Sequence, residues 1–136
     1  MPQMIFVNLP VKDLETSKSF YAKLGYSFNP QFSDDRTACL VISDTIFAML
    51  LQEERFKDFT KKEIADAATS TEMILALSAD SRERVDELAD AALANGGSPA
   101  NEPQDLGFMY GRSFQDPDHH IWEVVWMDPS TIEDQG

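Results

Sequence analysis

One acid stands among bulky apolar residues in the stretch HHIWEVVW: Glu123. Burying a carboxylate without a partner costs on the order of several kcal/mol, so it must face water, a cation, a metal or a binding cavity. Each option is a different chemistry. Beside a bound substrate the group is a general base. With two or three further oxygen or nitrogen donors it becomes a divalent-metal ligand. Against a guanidinium it is an ion pair with no function. The last option has a named partner. A tight turn over residues 116–119 sets Arg112 across from Glu123, whereas one more loop residue turns Arg112 to the other face of the sheet. Strand alternation is independent of that choice: Ile121, Glu123 and Val125 share one face, and Trp122, Val124 and Trp126 share the other.

Other residue types with chemical potential have bland readings. His119 and His120 lie beside Asp116 and Asp118, but adjacent side chains diverge in a reverse turn, and the sequence predicts a surface turn. Cys39 sits in an apolar strand with no His placed to activate it, and reads as a small buried hydrophobe. As the only cysteine it excludes an internal disulfide and fits a reducing compartment. Tyr110 follows the irregular loop SPANEPQDLG and offers its ring either to a planar ligand or to the core. The chain has no P-loop, dinucleotide fingerprint or nucleophile elbow.

The elements that must position these residues come twice. An apolar strand at 5–9 leads to Asp13, suited to cap a helix whose Leu14, Ser17, Phe20, Tyr21 and Leu24 share a face, and Gly25 stops it. Strands are expected at 27–32, 38–42 and 46–51. Residues 73–77 then form a strand, and Asp80 or Ser81 caps a helix with Val85, Leu88, Ala92 and Leu93 on one face. Gly96 and Gly97 end it, a short strand is expected near 98–102, and strands at 109–115 and 120–127 close the chain. Each β-α-β-β-β unit leaves one sheet face bare, and two units side by side bend those faces into a cup. Residues 52–71 between them are charged and helix-prone, and read as a helical linker pinned by Phe56, Phe59 and Ile64 in preference to a mobile lid.

Composition narrows the partners. At 136 residues, 43% hydrophobic with nine Phe, the chain has the means for one proper core. Its net charge of −13, with scattered basic residues, argues against nucleic acid and anionic membranes and favours a cationic over an anionic ligand. The N-terminal stretch MPQMIFVNLP has neither the basic flank nor the apolar run of a signal peptide, and no stretch suits a membrane span, so a cytoplasmic protein is expected.

The stretches LPVKDLETSKSFYAKLGY and FQDPDHHIWEVVW resemble the vicinal oxygen chelate superfamily, which holds glyoxalase I, extradiol dioxygenases, and fosfomycin- and bleomycin-resistance proteins. More narrowly, the chain is similar to small bacterial proteins labelled predicted lactoylglutathione lyases. The resemblance implies an α+β fold over residues 1–136, with a first unit at 1–51, the linker at 52–71, a second unit at 72–128 and a tail at 129–136. The two units form a cup-shaped mixed sheet with helices on its outer face, in a homodimer. In metal-using members the ligands come from the first and fourth strands of each unit, the first-strand ligand lying seven residues before the helix-capping Asp. Those places hold Phe6 and Met73 here. Met49 or a neighbour takes the first unit's fourth-strand place, and Glu123 alone matches a ligand type. Phe binds no divalent metal and Met is a soft thioether, so the metal site reads as degenerate; Asn8, on the face of Phe6, offers only an amide oxygen. Two functions follow. In the first, no cofactor is needed: an apolar cup of Phe6, Met49, Met73 and Tyr110, with Asn8, Arg112 and Glu123 as polar anchors, binds a small molecule. In the second, the protein is a metal-dependent lyase or isomerase of lactoylglutathione lyase type, or a dioxygenase-like enzyme, with Glu123 as ligand and base. A structural protein whose cup is filled by its own side chains is the third option.

Overall fold

The computed structural model describes residues 2–130, in two compact units, Met1–Asp66 and Ala67–Gly136. The fold is α+β, with one open mixed sheet in each unit and, among the described residues, three α-helices.

In the first unit, β1 (Ile5–Val11) runs into α1 (Leu14–Lys23) through Asp13, whose carboxylate accepts from the Thr16 amide at 3.2 Å and caps the helix. Gly25 follows at φ +100°, a conformation that a residue without Cβ adopts freely. Leu14, Ser17, Phe20, Tyr21 and Leu24 are buried, as the helical spacing predicts. Burying Phe20 and Tyr21 contributes roughly 1.5–3 kcal/mol each. The sheet order is β1-β4-β3-β2, where β2 is Ser27–Phe28, β3 Thr37–Val41 and β4 Ile46–Gln52; β1 and β4 are parallel and the other pairs antiparallel.

Two expectations about this half need correction. The strand at 27–32 stops at Phe28, because Asn29 accepts from the Gln31 amide at 2.9 Å and opens a 3-10 turn over Pro30–Phe32. The linker is helical only in α2 (Glu53–Phe56) and a 3-10 turn at Lys57–Phe59; Phe59 is exposed beneath Arg55, which pairs with Asp58 at 2.8 Å.

The second unit repeats the plan. β5 (Ile74–Ser78), α3 (Arg82–Ala94), β6 (Ser98–Pro99), β7 (Gln104–Asp105), β8 (Met109–Gln115) and β9 (Ile121–Met127) form a sheet ordered β5-β9-β8-β6, with β7 also on β8. β5 is parallel to β9, as β1 is to β4. α3 buries Val85, Leu88, Ala89 and Ala92 and packs on β8 and β9. Leu93, expected on that face, is 37% exposed, because 100° per residue carries it past the stripe that Ala89 and Ala92 occupy.

The α3 cap changes the site's address. Ser81, not Asp80, is the N-cap, accepting from the Arg84 amide at 3.1 Å. Counting back the same seven residues as from Asp13 to Phe6 gives Ile74 rather than Met73. Exposure agrees: Phe6 and Ile74 are 49% and 48% exposed, while Met73 lies just before β5. Of the expected tail, residues 131–136 lie outside the described residues.

Candidate functional site

The β8–β9 turn decides which residues meet at Glu123. Asp116 is 3% exposed, and its Oδ1 accepts from the amides of Asp118 and His120, both at 3.0 Å; its Oδ2 accepts from Trp122 Nε1 at 3.3 Å. The backbone closes with the His119 amide donating to the Asp116 carbonyl at 2.9 Å, and His119 takes a left-handed φ of +68°. His119 is exposed but His120 is buried, so the turn is not wholly at the surface. Closure over 116–120 uses one residue more than the tight turn. The pairs become Gln115↔Ile121, Ser113↔Glu123 and Arg112↔Val124.

The cross-strand Arg112–Glu123 pair is therefore not formed. A one-residue change of register turns Arg112 to the other face. There its Nη1 donates to Asp86 at 3.0 Å and Asp90 at 2.8 Å, both on α3, and the Tyr110 hydroxyl donates to Asp86 at 2.7 Å. Tyr110 and Arg112, expected to meet a ligand, are fastened to the helix, and Arg112 also borders the cavity beside Glu123. The Tyr110 hydroxyl and then Arg112 hold the Asp86 carboxyl below its ordinary pKa, while the bond to Asp86 and burial raise that of Tyr110. Burial works against the charge on Arg112, but Asp90 and Asp86 more than offset it and raise its pKa.

Glu123 lies on the opposite, helix-free face. Its register neighbours are small, Ser113 on β8 and Ala76 on β5. Among the described residues its carboxylate has no hydrogen-bond or ion-pair partner. A cavity of about 520 Å³ opens here, lined by Asn101, Glu102, Gln104, Met109, Ser113 and Glu123, with Val125 beside them. Its outer wall is the edge segment between β6 and β7. Pro99 and Pro103 have no amide hydrogen to give to β8, so the chain leaves the sheet between the two short pairings. Ser113 Oγ holds that wall, accepting from the Asn101 amide at 2.8 Å and donating to its carbonyl at 3.2 Å. At the far end Arg82 donates to both oxygens of Asp105 at 2.9 Å and to the Gly107 carbonyl at 3.0 Å, and it lies 5.1 Å from both the Tyr110 and Trp126 rings. The Arg82 bond, with the Gly107 amide, lowers the Asp105 pKa to about 2. On the β5 side of Glu123 a second hollow, about 370 Å³, is lined by Ala76, Leu77, Val125 and Met127, so Val125 borders both.

The first unit shows what the equivalent positions became. Asn8 pairs with Met49 as Ala76 pairs with Glu123, and Cys39 stands across from Met49 as Ser113 does from Glu123. Met49 is thus the counterpart of Glu123, as the fourth-strand position predicts. Phe6 stacks on Phe47, with centroids 4.9 Å apart and planes at 11°, and Asn8 is exposed with its amide donating to the Phe6 carbonyl at 3.3 Å. Cys39 is buried, and burial raises its thiol pKa.

A divalent metal of the kind the superfamily uses finds no suitable donor set. The first-strand positions carry the hydrocarbons of Phe6 and Ile74, Met49 offers a thioether, and only Glu123 supplies an anionic oxygen. Among the described residues no three His, Cys, Asp or Glu side chains converge.

Sequence comparison matches residues 3–43 to the family described as bleomycin resistance protein-like N-terminal. No curated protein matches. Among solved structures, a hypothetical protein from S. aureus is 26% identical with a TM-score of 0.78, the alignment covering 93% of this chain and 94% of that one. A glyoxalase/bleomycin resistance protein/dioxygenase family enzyme from Burkholderia phytofirmans is 17% identical, also with a TM-score of 0.78, over 93% and 99% of the two chains. A fosfomycin resistance protein from Mesorhizobium loti is 16% identical, TM-score 0.70, over 98% of each. The chain thus carries a bleomycin-resistance-like N-terminal segment on a glyoxalase/bleomycin resistance/dioxygenase fold, consistent with the vicinal oxygen chelate superfamily.

Residues that sequence reasoning passed over are Ser113, Glu102 and the pair Asp86 and Asp90. The acids, four apart on α3, carried a signal: that spacing puts both on one helical face, where a strand arginine can reach them. Ser113 and Glu102 emerge only from register and from the course of the edge segment.

Proposed function

We propose that the protein binds a small molecule, without a resident metal, in the cavity beside Glu123 on the helix-free face of the second unit. The observation that carries this reading is a carboxylate with no partner among the described residues. Glu123 sits between the small residues Ala76 and Ser113, at the edge of a 520 Å³ space. That volume falls in the usual range for small-molecule sites. The matched segment, from a group named for bleomycin resistance, supports binding rather than turnover as the role. Asn8, Phe6 and Met49 hold the equivalent face of the first unit, and we extend the ligand-binding reading to them.

Elemental analysis of purified protein, with titration of Ni²⁺, Zn²⁺ and Mn²⁺, tests the metal-free part. The expected result is no stoichiometric site. A tight site that disappears in Glu123→Gln would favour the alternative, a lyase or isomerase of lactoylglutathione lyase type with Glu123 as ligand and base. Turnover of the methylglyoxal–glutathione adduct would then test the reaction. We also read the protein as a homodimer, supported by the exposed Ile5 and Phe6 on the edge strand β1, which sedimentation can check.

A further inference from the structure

We infer that the ligand of this cavity is an amphiphilic organic cation, an alkylammonium or alkylguanidinium, with its charged head at Glu123 and Glu102 and its hydrocarbon in the hollow beyond Val125. This rests on the reading that the cavity beside Glu123 is the binding site.

Four observations support it. First, the charged lining whose partners are not on the other face is anionic: two carboxylates, Glu102 and Glu123, beside the amides of Asn101 and Gln104, which can donate and accept alike. Second, the one cation at the border, Arg112, has its guanidinium engaged on the opposite face by Asp86 and Asp90, so it offers no counter-charge to an anionic ligand. Third, the Ser113 hydroxyl is used in both directions by Asn101, which leaves the carboxylates as the strong partners. An ammonium donates to carboxylates through short charge-assisted bonds, whereas a carboxylate or phosphate ligand would meet two like charges. The chain's net charge of −13 adds to the attraction at a distance.

The fourth observation favours an amphiphile over a bare inorganic or very polar cation. Register places β9 between β8 and β5, so Glu123 has the polar cavity on one side and Ala76 on the other. Val125 borders both spaces, and the second is lined mainly by apolar Ala76, Leu77, Ala79 and Met127, with Ser78 as its polar side chain. A ligand anchored at Glu123 therefore has a hydrocarbon floor within reach. Burying four to six methylenes there strengthens binding without demanding any polar group. A methylammonium ion would use only half of the surface.

The test is a matched series of hexylammonium, hexanol and hexanoate, with methylammonium as the tail-less control, titrated into the full chain and followed by ¹H–¹⁵N correlation spectra. Hexylammonium should shift the amides of Glu102, Ser113, Glu123 and Met127 saturably. Its affinity should exceed that of hexanol and of methylammonium by about tenfold each, and hexanoate should not bind there. Glu123→Gln and, independently, Glu102→Gln should each weaken hexylammonium about tenfold while leaving hexanol within twofold, and added salt should weaken only the cation. Glu102 lies on the exposed edge segment, so its variant reports even if Glu123→Gln perturbs the sheet. Hexanol or hexanoate binding at these amides as tightly as hexylammonium would overturn the cation while leaving the cavity as the site. Methylammonium equalling hexylammonium would overturn the amphiphile. No shift at these amides with any probe would overturn both the class of ligand and the site.

Discussion

Replacing Asp116 should unsettle the hairpin that aims Glu123, and the structure gives the size of the effect. The carboxylate holds two backbone amides and one indole nitrogen while 3% exposed. Hydrogen bonds to a charged acceptor contribute about 1.5–3 kcal/mol each, but three on one group do not add in full, and the 3.3 Å indole bond is the weakest. Asp116→Ala removes all three and leaves the His120 amide and the Trp122 indole without this acceptor; a loss of about 3–4 kcal/mol follows. Asp116→Asn keeps one oxygen for the two amides but turns an NH₂ toward the indole N–H, donor against donor, and should cost about 1–2 kcal/mol. Urea unfolding followed by tryptophan fluorescence measures both, and the indole proton shift of Trp122 reports the local bond. The order Ala worse than Asn is the signature of a shared acceptor. Asp116→Ala within about 0.5 kcal/mol of the parent would refute the reasoning, as would Asn and Ala costing the same.

Other outcomes follow from the same geometry. His119→Gly should stabilise the protein by about 0.5–1 kcal/mol, since glycine meets the φ of +68° without a Cβ clash; a lower urea midpoint would contradict this. Asp105 should titrate at about 2 by carbon-detected NMR and move toward 3.8 in Arg82→Ala. Because its folded pKa is depressed, its contribution to stability is present above 3.8 and lost as pH falls toward 2, so Arg82→Ala should flatten the acid limb of the stability profile. Cys39 should react with a thiol reagent at least about a hundredfold more slowly in the native state than in denaturant, because burial both hides the thiol and raises its pKa.

Local chemistry explains which parts of the fold were readable from sequence. Asp13, Ser17 and Gly25 each act within one or two helical turns, so cap, buried stripe and stop all announce themselves. Alternation in β9 likewise put Glu123 on one face and Trp122 and Val124 on the other, where the latter two are buried. Whatever depended on a count of one residue was less secure. Asp80 and Ser81 are both good caps, and choosing between them moves the counterpart of Phe6 from Met73 to Ile74. The turn at 116–120 is closed by side-chain bonds of Asp116 that periodicity does not register, and that single residue carried Arg112 from Glu123 to α3. The wall of the cavity was hidden for another reason. β6 and β7 are two residues each, and the bond from Ser113 to Asn101 spans twelve positions.

The detour of the edge segment between Pro99 and Pro103 separates what keeps the protein folded from the wall of the cavity. Residues 100–103 make no ladder bonds, while the pairings on either side of them anchor the segment to β8. Insertions, deletions and substitutions in these four positions can reshape the cavity without disturbing the helix-covered core. If the cavity binds as proposed, its ligand preference is free to diverge at little cost in stability, and a library confined to residues 100–103 is the natural starting point for redirecting it.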